Sequence, residues 1–505
     1  MSSSSRFQWE AFGFFFAAFI ALVFASHAQF FDLPYFWDEL GQFIPASLDL
    51  YQHRAWIPES TTPNVHPPGL MAVLAGSWGL TGGPTILVTR AVMLLFASSL
   101  LMVTFMLAIE LMPGISGTPA FPAVVLLLVS PIFYMQAPLA HLDLPAAFFS
   151  LLALYLFLKG RFAYAALACT GAVLMKETAI VFPLVFAVSL GREKRWREMA
   201  SFGLPALALA VWLLILALAT GHPLGNPQFS AYNLGYNLHP VRLGVAILRR
   251  IYTLGIADFH WIGTAAILTA WWKRQIFAGP AWALVGALAA AHVATVTLLG
   301  GAVLERYLLP VFPLFYIAVA AGWSRWHKYA RWAAQATITV GLVAGLYVQP
   351  PYPYPLENSL AMVDQVRLYQ LAAGVVSGLK PELTVATAWP LSDALRRPEF
   401  GYVTRPRRVL ECPDFRIGSV LALPRPDVFV LYTRTLNPEN SLLNIPVVRQ
   451  LWERFYGYER EMETVGAQKL FNGPALVRWE RPAAWGAPTG GQWLEIYLNR
   501  QGPVY

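Results

Sequence analysis

Ionisable residues stand in five short groups along a chain that is otherwise strongly apolar. The groups are Asp38-Glu39, His66, His141-Leu142-Asp143, Lys176-Glu177 and Glu305-Arg306-Tyr307. Asp38 and Glu39 follow two aromatic residues, and partial desolvation of a carboxylate raises its basicity. Such a carboxylate can take the proton of a hydroxyl or amine. A lysine is a point charge for phosphate, and an arginine can hold phosphate through two hydrogen bonds. The five groups therefore indicate proton transfer and anion binding.

Each group also has a structural interpretation, which the residue types leave open. Asp38 would be an interfacial acid, and Asp143 would cap the helix that follows it. Lys176 and Glu177 would form a local ion pair at a helical turn. Arg306 would extend its charged head towards a membrane interface. The residue types alone therefore do not distinguish a catalytic role from a structural one, whereas the positions of the groups can.

Motifs for several other chemistries are absent from the sequence. It contains no Walker motif, no glycine-rich dinucleotide loop after a strand, and no His/Cys spacing typical of zinc sites. ATP hydrolysis and redox chemistry therefore have no support. Cys169 lies in an apolar run and Cys412 in the tail, so we predict neither a disulfide nor a metal cluster from the two cysteines.

Composition divides the chain of 505 residues into two regions. Hydrophobic types make up 57% of it and charged types 13%, about half of what soluble proteins carry. Residues 351–505 alone hold 17 Lys/Arg and 15 Asp/Glu, so the deficit of charge lies in the first 350 residues. We expect a membrane domain over 1–349 and a water-soluble domain over 350–505. The net charge of +8 arises mostly in short loops, and we expect no nucleic-acid partner.

Apolar runs long enough to cross a membrane recur throughout the first region. We predict about eleven spans: 10–30, 86–111, 119–137, 145–158, 162–175, 178–190, 201–220, 255–272, 279–299, 307–322 and 332–349. The fifth and sixth are short and would form a helical hairpin. The residues that flank the first span resemble those of a signal peptide, but this span is long enough to be a retained membrane helix.

The distribution of basic residues predicts the topology of these spans. With the N-terminus in the cytoplasm, the basic segments 159–161, 192–197 and 325–331 all fall on the cytoplasmic side. Arg249-Arg250 is an exception and falls outside, at an interface or in a site. The long first loop, 31–85, the tail and all five groups of ionisable residues fall on the extracytoplasmic side. We therefore expect a multi-pass protein of the inner (plasma) membrane with its reaction site on the outer face.

The tail alternates strand and helix signals, which favours a small α/β domain. Helical spacing covers 357–379 and about 445–463. Strand-like runs cover Leu383–Ala388, Asp427–Tyr432, Ala475–Trp479 and Trp493–Leu498. The expected fold is thus a polytopic α-helical membrane protein with a C-terminal extracytoplasmic α/β domain.

The motifs, taken in order, resemble those of the GT-C class of membrane glycosyltransferases. Within that class the chain looks most like bacterial relatives of protein O-mannosyltransferases and the aminoarabinose transferase of lipid A. The matching segments are Trp37-Asp38-Glu39, Asn64-Val65-His66-Pro67-Pro68-Gly69, His141-Leu142-Asp143-Leu144-Pro145, Gly171–Thr178, Glu305–Pro310 and Glu357–Leu360. The resemblance covers roughly residues 10–380, and the role of residues 380–505 stays open. It implies a polyprenyl-phosphate sugar donor and a protein, lipid or glycan acceptor met on the outer face.

The resemblance and the chemistry of the side chains together suggest an inverting transfer of a hexose or pentose. Asp38 would act as the general base, with Glu39 beside it. Lys176 and Arg306 would hold the donor phosphate. A phosphate leaving group needs no general acid, because cations stabilise the departing charge. The remaining residues, which would position substrate or phosphate, are His66, His141, Asp143, Glu177, Glu305 and Tyr307.

Two alternatives stay open at this point. Some members of the class use a divalent metal, which Asp38, His66, His141 and Asp143 would hold. We expect none, because no tight ligand spacing is present. A lipid or sugar transporter or flippase would also need many spans and buried charges. Transporters, however, place such residues near the midplane and often show two related halves, and this chain shows no internal repeat.

Overall fold

The structure is a computed structural model that describes residues 3–112, 120–273, 276–348, 355–434, 442–481 and 492–499. It divides into two compact units. The first comprises Met1–Phe31 and Gln42–Gly345, and the second comprises Asp32–Gly41 and Leu346–Tyr505. The domain boundary predicted at 349/350 lies outside the described residues. The segment 32–41, which we assigned to the membrane domain from sequence, belongs to the second unit.

Helices build the described part of the first unit. Its α-helices are Ser3–Ser26, Ile44–His53, Gly69–Thr81, Ile86–Leu111, Ala120–Val129, Pro131–Gln136, Asp143–Leu158, Phe162–Met175, Val181–Arg192, Trp196–Ser201, Gly203–Thr220, Pro227–Ser230, Pro240–Gly255, His260–Trp272, Pro280–Leu298, Phe312–Trp323 and Lys328–Gly345. Short 3-10 or π turns lie between them at Ala28–Phe30, Glu177–Ile180, Ala231–Gly235, Tyr236–Leu238, Ala257–Phe259 and Glu305–Leu308. Two of these turns carry predicted site residues.

The helices have the apolar character of a membrane protein. Among the described residues, three helical segments are long and apolar enough to cross a bilayer: Ile86–Leu111, Pro280–Leu298 and Trp196–Thr220, which combines the consecutive helices Trp196–Ser201 and Gly203–Thr220. The pair Pro240–Gly255 and Ala257–Trp272, bent by 45°, would add a fourth span. Six further apolar helices have 10–17 residues. The predicted total of eleven spans, and their orientation, stay predictions.

Local signals explain where several helices begin and end. Thr85 caps the helix Ile86–Leu111, because its hydroxyl accepts a hydrogen bond from the backbone N–H of Val88 at 3.2 Å. That helix coincides with the predicted span 86–111. The predicted span 119–137 is instead broken at Ser130, which caps a second helix that starts with Pro131. The break follows from local residue chemistry.

The second unit contains a five-stranded sheet. Its strands are β1 (Thr384–Ala388), β2 (Arg408–Cys412), β3 (Val428–Tyr432), β4 (Val477–Arg481) and β5 (Gln492–Leu498), in the order β2-β1-β3-β5-β4. β1 pairs in parallel with β2 and β3, whereas β5 pairs antiparallel with β3 and β4. Every side chain of β3 is buried, as expected for a central strand covered on both faces.

Helices and short turns make up the rest of the described second unit. The α-helices are Ala361–Gly378, Leu391–Arg396, Ile417–Leu421, Pro446–Tyr456 and Thr464–Leu470, and 3-10 turns lie at Leu356–Asn358, Pro398–Phe400 and Leu442–Asn444. The helix predicted over 445–463 ends early, at Tyr456. Gly457 follows in the left-handed conformation (φ 64°), which ends a helix at little steric cost.

Candidate functional site

Three predicted site residues of the first unit meet in one buried ion cluster. Lys176 Nζ lies 2.5 Å from Asp143 Oδ1, and Arg306 Nε lies 3.2 Å from Asp143 Oδ2. The side chains of Lys176, Asp143 and Arg306 are 9%, 5% and 4% exposed. Charges this well buried are costly unless they are paired or bind a ligand. The cluster carries one net positive charge, which suits an anionic ligand.

Breaks in helical structure place these three side chains. Asp143 is the first residue of the helix Asp143–Leu158, where the helix dipole favours an acid. Lys176 ends the helix Phe162–Met175 in an extended conformation (φ −151°, ψ 127°). Arg306 lies in the 3-10 turn Glu305–Leu308. The cluster therefore joins chain segments that are far apart in sequence.

His141 lies beside this cluster. Its Nδ1 is 3.2 Å from an Arg306 guanidinium nitrogen and 2.7 Å from the side-chain oxygen of Gln136. Burial, reinforced by the charges of Arg306, Arg90 and Lys176, holds the pKa of His141 well below its usual value, so the ring is neutral at physiological pH. Within the described part of the chain its Nε2 is buried without a hydrogen-bond partner. That nitrogen is available to a ligand.

Tyr307 fixes the position of the lysine ammonium. Lys176 Nζ lies 3.9 Å from the centre of the Tyr307 ring, within the range of a cation–π interaction. His292, on the helix Pro280–Leu298, is 2.8 Å through Nε2 from the backbone oxygen of Tyr307. The cation–π contact thus depends on a turn that is itself held by a neighbouring helix.

The turn that carries Arg306 is held by two further arginines. Arg249 Nε donates to Glu305 Oε1 at 2.5 Å, and the buried Arg250 donates to the Leu304 carbonyl at 2.7 Å. Glu305, a predicted substrate-binding residue, is therefore engaged in an ion pair with Arg249. The pair Arg249-Arg250, which departed from the charge rule in the sequence, contacts this turn.

His66 and Glu177 form a second pair in the same unit. His66 Nδ1 lies 2.8 Å from Glu177 Oε2, and both side chains are partly buried. Burial raises the pKa of Glu177, but the charge of His66, its hydrogen bond and the charge of Lys176 together bring that pKa below the ordinary value. Glu177 is thus ionised at neutral pH and directly follows Lys176 in the chain.

The loop that carries His66 is fixed on both sides. The Asn64 side-chain oxygen accepts from the His66 backbone N–H at 3.0 Å, and Trp212 Nε1 donates to the Val65 carbonyl at 2.9 Å. Gly69 lies directly against the Leu174 carbonyl, where a Cβ atom would overlap it. This close approach is a physical reason for the glycine that ends the motif.

Asp38 and Glu39 lie in the second unit. Trp37 has a left-handed backbone (φ 51°), which costs free energy for a bulky residue and is found most often at functional sites. Glu39 is buried, and its Oε2 accepts from the Phe36 backbone N–H at 3.0 Å. It also begins a π-helical turn, Glu39–Phe43. Asp38 is half-buried.

Contacts within the second unit hold this segment. The Tyr35 backbone N–H donates to the Phe400 carbonyl at 3.3 Å, and the Tyr402 hydroxyl donates to the Tyr35 carbonyl at 2.9 Å. The Trp37 ring meets the Trp389 ring edge to face, with centres 4.8 Å apart. The strained backbone before Asp38 is therefore held by aromatic and hydrogen-bonding contacts.

Two residues near the ion cluster were missed from the sequence. Arg90 is 1% exposed and donates to the Pro138 carbonyl at 2.8 Å, and its charge acts on His141. Gln136 contacts His141 directly. A charge inside an apolar run is a signal in its own right. Arg90 could have been found by that rule, whereas a glutamine carries no such signal.

The sequence did not decide whether the protein binds a divalent metal, although we expected that it does not. Within the described ranges, no group of three or more His, Cys, Asp or Glu side chains lies close enough to hold a metal ion. Cys169 and Cys412 are free thiols and both are buried.

Comparison with known proteins shows similarity in structure. No protein-family model and no curated protein sequence matches the chain. ArnT from Cupriavidus metallidurans bound to undecaprenyl phosphate matches with a TM-score of 0.54 and 14% identity, over 96% of this chain and 99% of that chain. The apo state of that ArnT matches equally, over 96% and 98%. An Archaeoglobus fulgidus oligosaccharyltransferase in complex with Zn and sulfate has a TM-score of 0.48, 11% identity, and coverage of 79% and 62%. The match to ArnT over nearly its whole length confirms that the chain has the fold of a GT-C membrane glycosyltransferase.

Proposed function

We propose that the protein is a glycosyltransferase that uses a polyprenyl-phosphate sugar as donor. The observation that carries the proposal is the buried cluster of Lys176, Arg306 and Asp143, with the free Nε2 of His141 beside it. A phosphate is an anion that these cations can bind, and the fold is one in which ArnT binds undecaprenyl phosphate. The acceptor is a protein, lipid or glycan on the extracytoplasmic face.

The proposed transfer moves one proton and one glycosyl group. Asp38 takes the proton of the acceptor hydroxyl or amine, and that atom forms a bond to the anomeric carbon. The bond from the anomeric carbon to the phosphate oxygen breaks, and its electron pair leaves with the phosphate. Lys176 and Arg306 stabilise the charge that develops there. Attack from the opposite face inverts the anomeric configuration.

The other predicted residues position these groups. Glu39 lies next to the base and fixes its backbone through the Phe36 N–H. Glu305 pairs with Arg249 and so holds the turn that carries Arg306. The Tyr307 ring contacts the Lys176 ammonium and holds it in place. His66 and Glu177 contribute a polar pair next to Lys176.

The test is release of polyprenyl phosphate by the purified full-length protein in liposomes. A panel of undecaprenyl-phosphate hexoses and pentoses would be supplied with candidate acceptors. We expect release with at least one donor, and loss of 10²-fold or more on Asp38→Asn, within the usual range for removal of a general base. Asp32→Asn, an exposed acid six residues earlier, is the matched control. Near-normal turnover by Asp38→Asn would show that Asp38 is not the general base.

One observation favours a transporter instead. The helix pair Pro240–Gly255 and Ala257–Trp272 is bent at its break, and broken helices are common at transport sites. A transporter would move undecaprenyl-phosphate sugar across the bilayer and leave its glycosyl bond intact. Movement of labelled donor between leaflets without release of undecaprenyl phosphate would therefore favour transport over transfer.

A further inference from the structure

One helix of the second unit keeps its apolar side chains exposed. The helix Pro446–Tyr456 has no buried residue, and among the described residues the element that it contacts most is the turn Leu442–Asn444 directly before it. Val447 is 64% exposed and Leu451 is 47% exposed. An exposed apolar surface of this kind marks a site of interaction with a membrane or with another molecule.

The sequence of this helix is amphipathic over its whole length. At about 100° of rotation per residue, its apolar side chains all fall on one half of the helix surface. They are Val447, Val448, Leu451, Trp452, Phe455 and Tyr456. The opposite half carries Gln450 and Glu453. Arg449 and Arg454 lie at the two borders between the halves. A helix with an apolar half and basic borders is suited to lie flat in a membrane interface.

The two border arginines are complementary to the phosphate groups of lipids. Both Arg449 and Arg454 are exposed. An arginine stem can lie along apolar surface while its guanidinium reaches the polar layer, where it can hold a phosphate through two hydrogen bonds. Acids follow the helix in sequence, but Glu459, Glu461 and Glu463 each pair with an arginine outside the helix. The border of the apolar half is therefore positively charged.

Two aromatic residues of the apolar half favour a bilayer as the occupant of this surface. The rings of Trp452 and Tyr456 stack, with centres 4.5 Å apart. Each has an apolar ring and one polar group, and such residues concentrate at the boundary between membrane and water. The rings can lie against acyl chains while the indole N–H and the phenol hydroxyl reach the lipid head groups.

The place of the helix in the chain also favours a membrane over a separate protein partner. Most of the second unit follows the apolar first unit in the same chain. Tethering of this kind converts a second binding event into an intramolecular one and raises its effective concentration. A short helix with a modest apolar surface can therefore bind a bilayer without high intrinsic affinity.

We propose that the helix Pro446–Tyr456 lies in the membrane interface, with its apolar half against acyl chains and with Arg449 and Arg454 at the level of the lipid phosphates. The partner of this surface is an anionic phospholipid bilayer. The helix then orients the second unit on the membrane. This inference does not depend on the proposed function, because a transferase and a transporter would lie in the same membrane.

Spin labels on neighbouring residues would show what covers each half of the helix. Leu451→Cys and Gln450→Cys would be labelled in the full-length protein, in nanodiscs of phosphatidylcholine with or without phosphatidylglycerol. Both positions are exposed, so neither substitution should disturb folding. Cys169 and Cys412 are buried, and the unsubstituted protein controls for their labelling. Collision of each label with oxygen, which dissolves in lipid, would be compared with collision with a water-soluble nickel chelate.

We expect the label at position 451 to collide with oxygen and to be shielded from nickel, and the label at position 450 to collide with nickel. In nanodiscs with phosphatidylglycerol, adding Arg454→Gln should lower the ratio of shielded to unshielded label at position 451 about fivefold, because each basic residue near an anionic surface strengthens binding by about that factor. Without phosphatidylglycerol the same substitution should have a smaller effect.

Three outcomes would overturn the proposal. Equal access of nickel to both labels would show that the helix lies in water. Shielding of position 451 from both reagents would show that protein covers the apolar half, either from a second copy or from another part of the chain. An Arg454→Gln effect that is the same in both lipid mixtures would show that this arginine does not contact anionic lipid.

Discussion

Replacing Asp143 with asparagine would test the buried ion cluster directly. The carboxylate of Asp143 is shared by Lys176 and Arg306, and all three side chains are almost completely buried. Asparagine keeps the size of the side chain but removes its charge, so two buried cations lose the anion they share. Removing one partner of a buried ion pair costs about 3–5 kcal/mol. We expect Asp143→Asn to lower the free energy of unfolding by about that amount.

The chain provides a matched control with the same geometry and different burial. Glu110 Oε2 lies 2.5 Å from Lys159 Nζ, the same separation as in the Asp143–Lys176 pair, but these side chains are 28% and 42% exposed. An exposed ion pair contributes about 0–1 kcal/mol. Denaturant unfolding in detergent, followed by tryptophan fluorescence, would compare Glu110→Gln with Asp143→Asn. Equal losses of stability in the two variants would contradict the argument from burial.

Ligand binding adds a second readout to the same variant. A bound phosphate can replace the missing carboxylate, and a ligand that binds only the folded state stabilises it. Undecaprenyl phosphate should therefore raise the unfolding midpoint of Asp143→Asn more than that of the wild type. Adding Lys176→Met to the same variant should remove most of this gain. An Asp143→Asn variant that undecaprenyl phosphate does not stabilise would refute the placement of the phosphate at this cluster.

Two further substitutions test how the site is held. Gly69→Ala would force a Cβ against the Leu174 carbonyl and should lower the free energy of unfolding by about 1–3 kcal/mol. Gly76→Ala, in the same helix, meets open space and should raise it by up to about 1 kcal/mol. Changes of the same sign in the two variants would contradict the packing argument. Glu305→Gln removes the charge that Arg249 contacts, so it should lower the free energy of unfolding by about 1–3 kcal/mol and weaken binding of undecaprenyl phosphate. Unchanged binding of undecaprenyl phosphate in a titration would show that this ion pair does not position Arg306.

Helical segments were predicted well where the signal was local. The spans 86–111 and 162–175 coincide with the helices Ile86–Leu111 and Phe162–Met175, because long apolar runs and their end signals lie within a few residues of each other. The strand β2, Arg408–Cys412, was missed. It is an edge strand with mixed exposure and carries two charged residues, so its short sequence shows no clear alternation. Pairing with β1 makes it a strand, and that pairing is not local.

Ion pairs across the chain could not be predicted from the sequence. The spacing of charges indicated that Asp143, Lys176 and Arg306 would lie on one side of the membrane, but it did not pair them. Asp143 and Lys176 are 33 residues apart, and each lies at a break in its helix. Packing of several helices decides such contacts, because the side chains meet only when their helix ends converge. The role of Arg249 at Glu305 was hidden for the same reason.

The sequence by itself determined the membrane character, the helical segments and the chemical types available at their breaks. These properties depend on the transfer of side chains from water to an apolar medium and on local backbone signals, both of which act over a few residues. Only the tertiary structure decided that Lys176 and Arg306 share the Asp143 carboxylate, and that residues 32–41 belong to the second unit. Those outcomes depend on contacts between distant segments. A buried polar contact stabilises the fold only when the groups that it removes from water find hydrogen-bond partners.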